Sequence, residues 1–278
     1  MFSFMVYFSA TTVHLMHCLP SKDNIKADLS GNKVKQWNES SAVNPEELGT
    51  YPGGDVLFPN RVLRNGINFE KDRWPMGVIP FEFDGTLNKQ DMEKVEEAMM
   101  EFHRVTCIRF RRRKPNDTDF ISIGNNRPGC SSTDLGRSGG AQGINLETPA
   151  CLSMRTILHE LLHAIGFDHE HIRADRDLFV TIHWDNIQRG RKNIFMKQPE
   201  RVLTSFGVTY DYNSLMHYSG KSLSSNGLPT MTAIKDPNIQ LGPRLHAKFS
   251  KKDVEKIHLM YNCSEISTKN NSSDININ

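Results

Sequence analysis

In the stretch "NKQDMEKVEEAMMEFHRVT" (88–106), apolar residues recur at Val95, Ala98, Met99, Phe102 and Val105. That spacing predicts a helix with one buried face. Just upstream, Val78-Ile79-Pro80-Phe81-Glu82-Phe83 reads as a strand. Pro80 has no N–H to give a ladder, so the strand is expected at a sheet edge. The short apolar runs "CIRF" (107–110), "FISI" (120–123) and "GINL" (143–146) predict further strands. "SMRTILHELLHAIGF" (153–167) predicts a second helix that ends near Gly166. The second half is irregular, broken by turn signals such as "DYNS" (211–214) and "SSNGLP" (224–229). A final helix follows in "SKKDVEKIHLMYNC" (250–263), where Ser250 and Asp253 stand as a capping pair with Asp in place of Glu or Gln.

The ends of the chain break this pattern. Residues 1–20 are apolar and carry no Lys or Arg, but they are too short and too interrupted by His14 and His17 to span a bilayer. They read as a secretory signal peptide without a basic n-region. Residues 21–64 are polar with no sustained period, as expected of a pre-domain segment. The tail after Cys263, "SEISTKNNSSDININ", is polar and expected to be disordered.

Composition changes the picture little. A net charge of +2 over 278 residues gives no argument for nucleic acid or an acidic membrane as partner. The run Arg111-Arg112-Arg113-Lys114 reads as an exposed strand end entering the Pro115-Asn116-Asp117 turn. Cysteine usage is more informative. Of five cysteines, Cys18 lies in the leader, leaving Cys107, Cys130, Cys151 and Cys263, an even set for two disulfides in an oxidising compartment. Three pairings are open on sequence alone. Sequons at Asn38, Asn116, Asn270 and Asn271 predict glycosylation; the one at Asn262 adjoins Cys263.

The densest chemistry is "HELLHAIGFDHE", residues 159–170. On a helix His159 and His163 are four apart and share a face, so both imidazoles can reach one ion. Glu160 lies about 100° further round, beside that ion, where a general base is needed. Gly166 takes a positive φ at no steric cost and can turn the chain back. His169 then completes three neutral nitrogen ligands, which leave a tetrahedral zinc one open position and so indicate a catalytic site. His103, His171, His183, His217, His246 and His258 have no such spacing.

"HELLHAIGFDHEHIRADRD" (159–177) together with Ser214-Leu215-Met216-His217-Tyr218 resembles the zinc signature and Met-turn of the astacin family of metzincin proteases. The resemblance covers about residues 65–263. It implies an α+β, zincin-like fold of two subdomains: an N-terminal twisted five-stranded sheet with two long helices, and an irregular C-terminal subdomain. One Zn2+ would sit at the floor of the cleft between them. His159, His163 and His169 would hold it, Glu160 would be general base and acid, and Tyr218 would be a resting ligand that swings out to stabilise the oxyanion. Met216 would underlie the metal. The family's pairing would be Cys107–Cys263 and Cys130–Cys151.

The resemblance also gives residues 21–64 a role, as the pro-segment of a zymogen. Asp55, in "YPGGDVLFP", would be the latent-form zinc ligand, although Pro52 stands where the family has Phe and Tyr51 is one residue early. Cleavage at Arg64–Asn65 by a trypsin-like protease would free Asn65 to pair with Glu170. The expectation is a secreted, monomeric zinc endopeptidase acting on protein substrates, with no nucleic-acid or membrane partner. The alternative is an inactive binding module of the same fold. A basic cleft residue selecting an acidic substrate position could be Arg155 or Lys248, and sequence assigns neither.

Overall fold

The computed structural model describes residues 33–57, 70–200, 204–243 and 246–264. The leader, the Arg64–Asn65 bond and the sequons at Asn270 and Asn271 lie outside the described residues.

Strands β1 (Val78–Phe83), β2 (Arg109–Arg112), β3 (Phe120–Gly124), β4 (Cys130–Ser132) and β5 (Ala141–Leu146) form one sheet in the order β2-β1-β3-β5-β4. The ladders among β2, β1, β3 and β5 are parallel, and β4 alone runs antiparallel, at the edge beside β5. The expected edge position of the Pro80 strand is not found: β1 lies between β2 and β3. The proline is tolerated because pairing with β3 starts only at Phe81, so the missing donor falls before that ladder begins. The basic run is spent locally, Arg111 on Asp117, Arg112 on Glu96 and Arg113 on Glu82.

Helix α1 (Lys89–Val105) starts where the Asn88 side chain accepts from the Asp91 N–H. Its Val95, Ala98, Met99 and Phe102 are buried in the core with Ile79, Ile121 and Ile123 of the sheet. Helix α2 (Met154–Ile165) is buried from Arg155 to its end. Ser153 caps its start, and Gly166, at φ 112°, ends it with Phe167 N–H returning to Leu162 O. The second half is less regular, as expected, but contains a small antiparallel pair, β6 (Val180–Ile182) with β7 (Met231–Ala233), over its own core of Ile187, Phe195, Tyr210 and Leu223.

The closing helix α3 (Lys251–Tyr261) carries the full reciprocal capping box of Ser250 and Asp253. Its Ile257 and Met260 pack into the first core, so the end of the chain returns to the sheet lobe. Cys107 is bonded to Cys263 at that return, and Cys130 to Cys151. No helix among the described residues is long and apolar enough to cross a membrane.

Candidate metal centre

Helix α2 presents His159 and His163, and the turn after Gly166 brings back His169. Backbone carbonyls fix the first two rings. His159 Nδ1–H donates to Leu215 O and His163 Nδ1–H to Phe167 O, both at 2.7 Å. Such bonds set the tautomer and leave each Nε2 as a lone pair. The first carbonyl is itself held in place: Asp253, at the start of α3, accepts from Ser214 Oγ (2.6 Å) and Leu215 N–H (3.0 Å). The cap of the last helix thus sets the ring of the first histidine, through the turn that carries Met216 and Tyr218. Met216 is buried in the same core, and its carbonyl accepts from Glu170 N–H at 2.8 Å.

Asp55 lies among the three rings. Its carboxylate is 3.0 Å from His159 Nε2, 3.1 Å from His169 Nε2 and 3.5 Å from His163 Nε2. All four candidate donors lie within 4.8 Å of one another and are buried. With Nδ1–H spent on carbonyls, neutral His159 and His163 turn lone pairs toward an acceptor. That is repulsive unless a positive charge sits among them. His163 Nε2 and one Asp55 oxygen have no hydrogen-bond partner, and the same holds for both Glu160 oxygens and the Tyr218 hydroxyl. Native interiors rarely leave such atoms orphaned. A zinc-type set of nitrogen and carboxylate ligands therefore fits the residues present.

The electrostatics follow burial and Asp55. Burial, reinforced by Asp55, pushes Glu160 well above the usual carboxylate range. The same two causes push the Tyr218 phenol well up. Burial lowers His163, whereas in His169 the attraction of Asp55 outweighs burial and raises it. Glu170 lies apart from the metal set. It accepts from Arg173 (2.8 Å), Lys256 (2.7 Å) and the Asp211 N–H (3.0 Å). Burial opposes its charge, but Lys256 and Arg173 win and lower it. Asn65, its expected partner, lies outside the described residues.

Asp55 arrives on a segment that crosses the cleft. Tyr51 and Gly54 close a tight hairpin with Pro52-Gly53 at its tip, so the proline that departs from the expected Phe occupies a turn position for which its fixed φ is suited. Val56 pairs in parallel with Ser132 on the edge strand β4, with Ser132 N–H donating to Asp55 O. Arg191 donates to Thr50 O and Asn193 to Pro52 O from the second lobe.

Three features of the site had no signal in spacing. His171 is buried, and its ring stacks on Tyr218 with centroids 4.5 Å apart. His217 Nδ1–H donates to Tyr218 O (2.6 Å), and its Nε2 accepts from the Tyr210 hydroxyl (2.8 Å). Glu46 and Glu47 are buried in the cleft, Glu46 on Arg155 and Glu47 on Ser219. Lys248, the other basic candidate, pairs with Glu101 of α1.

Residues 66–262 match the family model for the astacin peptidases. The chain is 36% identical over 225 residues to zinc metalloproteinase nas-13 of Caenorhabditis elegans, covering 81% of this chain and 49% of that protein. It is 38% identical over 235 residues to nas-14 of the same organism, covering 84% and 44% respectively. It therefore spans about half the length of these relatives. Among solved structures, it resembles high choriolytic enzyme 1, a hatching enzyme zinc-protease from Oryzias latipes. The TM-score is 0.63 at 37% identity, over 69% of this chain and 93% of that one.

Proposed function

Because the chain belongs to the astacin family, we propose that it is a secreted zinc endopeptidase, made with a leader (1–20) and held latent by its own segment 21–64. Residues 65–263 are then the protease and 264–278 a polar tail. The observation that carries this reading is the convergence of orphaned buried atoms from His163, Glu160 and Tyr218 on the site that Asp55 fills.

His159, His163 and His169 would hold one zinc. When bound, zinc supplies Lewis acidity toward the scissile carbonyl and lowers the pKa of the attacking water. The remaining steps fall to the chain. Glu160, next in sequence to His159, takes the proton of that water and returns it to the leaving amine. Burial, and after it Asp55, raises its proton affinity, so withdrawal of Asp55 would lower that affinity. Tyr218 keeps its proton at neutral pH and so can donate a hydrogen bond to the developing oxyanion. His171, stacked on its ring, and His217, bonded to its carbonyl, position it.

Before activation, Asp55 occupies the place of substrate. Cleavage after Arg64 by a trypsin-like protease would release the segment and free Asn65 to approach Glu170. The substrates are proteins or peptides, and the working form is a monomer.

The test is hydrolysis of an unfolded protein by the trypsin-processed, zinc-loaded chain, with and without Glu160→Ala. The variant should fall by a factor of about 10²–10⁴, as for loss of a general base, while binding zinc as well as wild type. Undiminished cleavage by the variant would overturn the mechanism. No cleavage by a folded, zinc-loaded wild type would favour an inactive binding module.

A further inference from the structure

Strands β6 and β7 end side by side at a recess in the irregular lobe, about 430 Å3 in volume. Leu178 and Phe179 enter it just before β6, and Ile234 and Lys235 just after β7. Leu178 is 74% exposed and Ile234 52%. In the wall behind them, buried Tyr210 stacks on Phe179 with ring centroids 4.8 Å apart. The Phe179 carbonyl accepts from both the Tyr212 hydroxyl (2.9 Å) and the Ile234 N–H (2.8 Å). The apolar wall is therefore fixed before anything binds, which lowers the cost of binding. Single apolar side chains on a surface are ordinary, whereas a contiguous set around a recess marks a contact surface.

Two ammonium groups stand on the same recess. Lys252, in the first turn of α3, gives one proton to Tyr210 O at 2.9 Å and keeps two to offer. Lys235 is exposed. Neither forms an ion pair among the described residues, unlike Arg111, Arg112 and Arg113, each of which has its carboxylate. The one carboxylate in the lining, Asp211, is buried and spent on Ser250 Oγ (2.5 Å) and Asn213 N–H (3.0 Å). The recess thus offers apolar surface and positive charge together. The hydrogen bonds of the segment that crosses the cleft run instead to Ser132, Arg191, Asn193 and Ser219.

We propose that this recess is a docking exosite outside the cleft, which takes a large apolar side chain flanked by carboxylates from a part of the protein substrate remote from the scissile bond. This rests on the protease reading above. The apolar side chain covers Leu178, Phe179 and Ile234, and the flanking carboxylates meet Lys235 and Lys252. A subsite of the cleft reads residues at a fixed distance from the bond that is cut. The exosite sets no such distance, because it acts by raising the local concentration of the whole substrate. It is open in the uncut chain as well as in the processed one.

Two measurements test this. The first needs no catalysis: binding of the fluorescein-labelled peptide Glu-Asp-Phe-Glu-Asp to the uncut, zinc-loaded chain, whose cleft is covered by its own segment. Replacing Phe by Ala should weaken binding about tenfold, as for loss of one buried aromatic side chain. Replacing the acids by their amides should weaken it about fivefold at low salt. Leu178→Asp should weaken it about tenfold and Lys235→Gln about threefold; both positions are exposed, so neither change threatens the fold. Equal binding of the Phe and Ala peptides, or no loss in Leu178→Asp, would overturn the exosite. Self-association of the uncut chain that Leu178→Asp abolishes, with no peptide bound, would give the recess to a second copy and overturn it too. The second is cleavage, by the trypsin-processed chain, of an unfolded protein carrying the same peptide on a flexible linker at a short or a long distance from the cut. Against the Ala version, kcat/KM should rise about fivefold or more at both distances, and the ratio should fall toward one in Leu178→Asp. A gain at the short distance alone would assign the effect to the cleft and overturn the exosite. Peptide binding with cleavage but no gain would overturn the substrate role. Peptide binding with no cleavage of any substrate would strike the protease reading and leave the recess as a docking site.

Discussion

Gly54 shows how narrowly a single residue can be constrained. It sits at φ 87°, and a Cβ there would lie 2.2 Å from the Tyr218 hydroxyl. Gly54→Ala would meet both the left-handed backbone cost, about 1–3 kcal/mol for a non-glycine residue, and that clash. Both disfavour the segment across the cleft and leave the two lobes themselves unchanged. The uncut, zinc-loaded chain carrying Gly54→Ala should therefore show about tenfold more residual peptidase activity than uncut wild type. Activity equal to wild type would mean that the segment tolerates a side chain there. At this scale the clustering of His159, His163 and His169 was legible because their geometry is local: two histidines four positions apart on one helix, then a glycine turn that brings back the third. The pairing of Arg155 with Glu46 was not legible, since Glu46 lies 109 residues away and nothing in either sequence neighbourhood points to the other. His171 escaped for a similar reason, because its role depends on the ring of Tyr218 stacking on it.

Among the elements, helices with one clear apolar period were readable, and the cap of α3 was visible in Ser250 and Asp253. What could not be read is that this cap reaches Ser214 and Leu215 and so orients His159. The three-residue strands β4, β6 and β7 are too short to leave a period of their own. Placing Pro80 at an edge failed because a parallel strand can have one ladder begin later than the other. The tie between the turn after α2 and helix α3 carries a pH dependence. Lys256 and Arg173 hold Glu170 below its usual 4.5 despite burial. A depressed acid contributes stability that is fully present above its unfolded pKa and is lost as pH falls through the folded one. The urea midpoint of the zinc-free chain should therefore drop as pH falls below about 4.5. In Glu170→Gln it should start lower at neutral pH and drop less steeply; an unchanged slope would place the acid sensitivity elsewhere.

The whole molecule is closed by the bond between Cys107 and Cys263, which are 156 residues apart. Chain entropy assigns a loop of that length about 5 kcal/mol of stabilisation. Replacing both cysteines by serine, with Cys130–Cys151 intact, should lower the urea midpoint by a corresponding amount, and a negligible shift would mean that α3 docks firmly on its own. The α+β class and the five-stranded sheet were readable at this scale because the family signature fixes the architecture as well as the metal. The return of α3 to the sheet lobe was not, since it follows from which core takes Ile257 and Met260.

The segment carrying Asp55 touches both lobes at once, through Ser132 and Arg155 on one side and Arg191, Asn193 and Ser219 on the other. On the proposed function, a strap of this kind would serve as an assembly jig, holding the two halves in register as the chain folds. If the segment is then cut away as proposed, the finished object would keep its shape but lose the tool that shaped it. Diluted from urea with disulfides intact, the uncut chain should regain its fold at least ten times faster than the processed one. Adding the severed segment back in trans should then restore much of the lost speed.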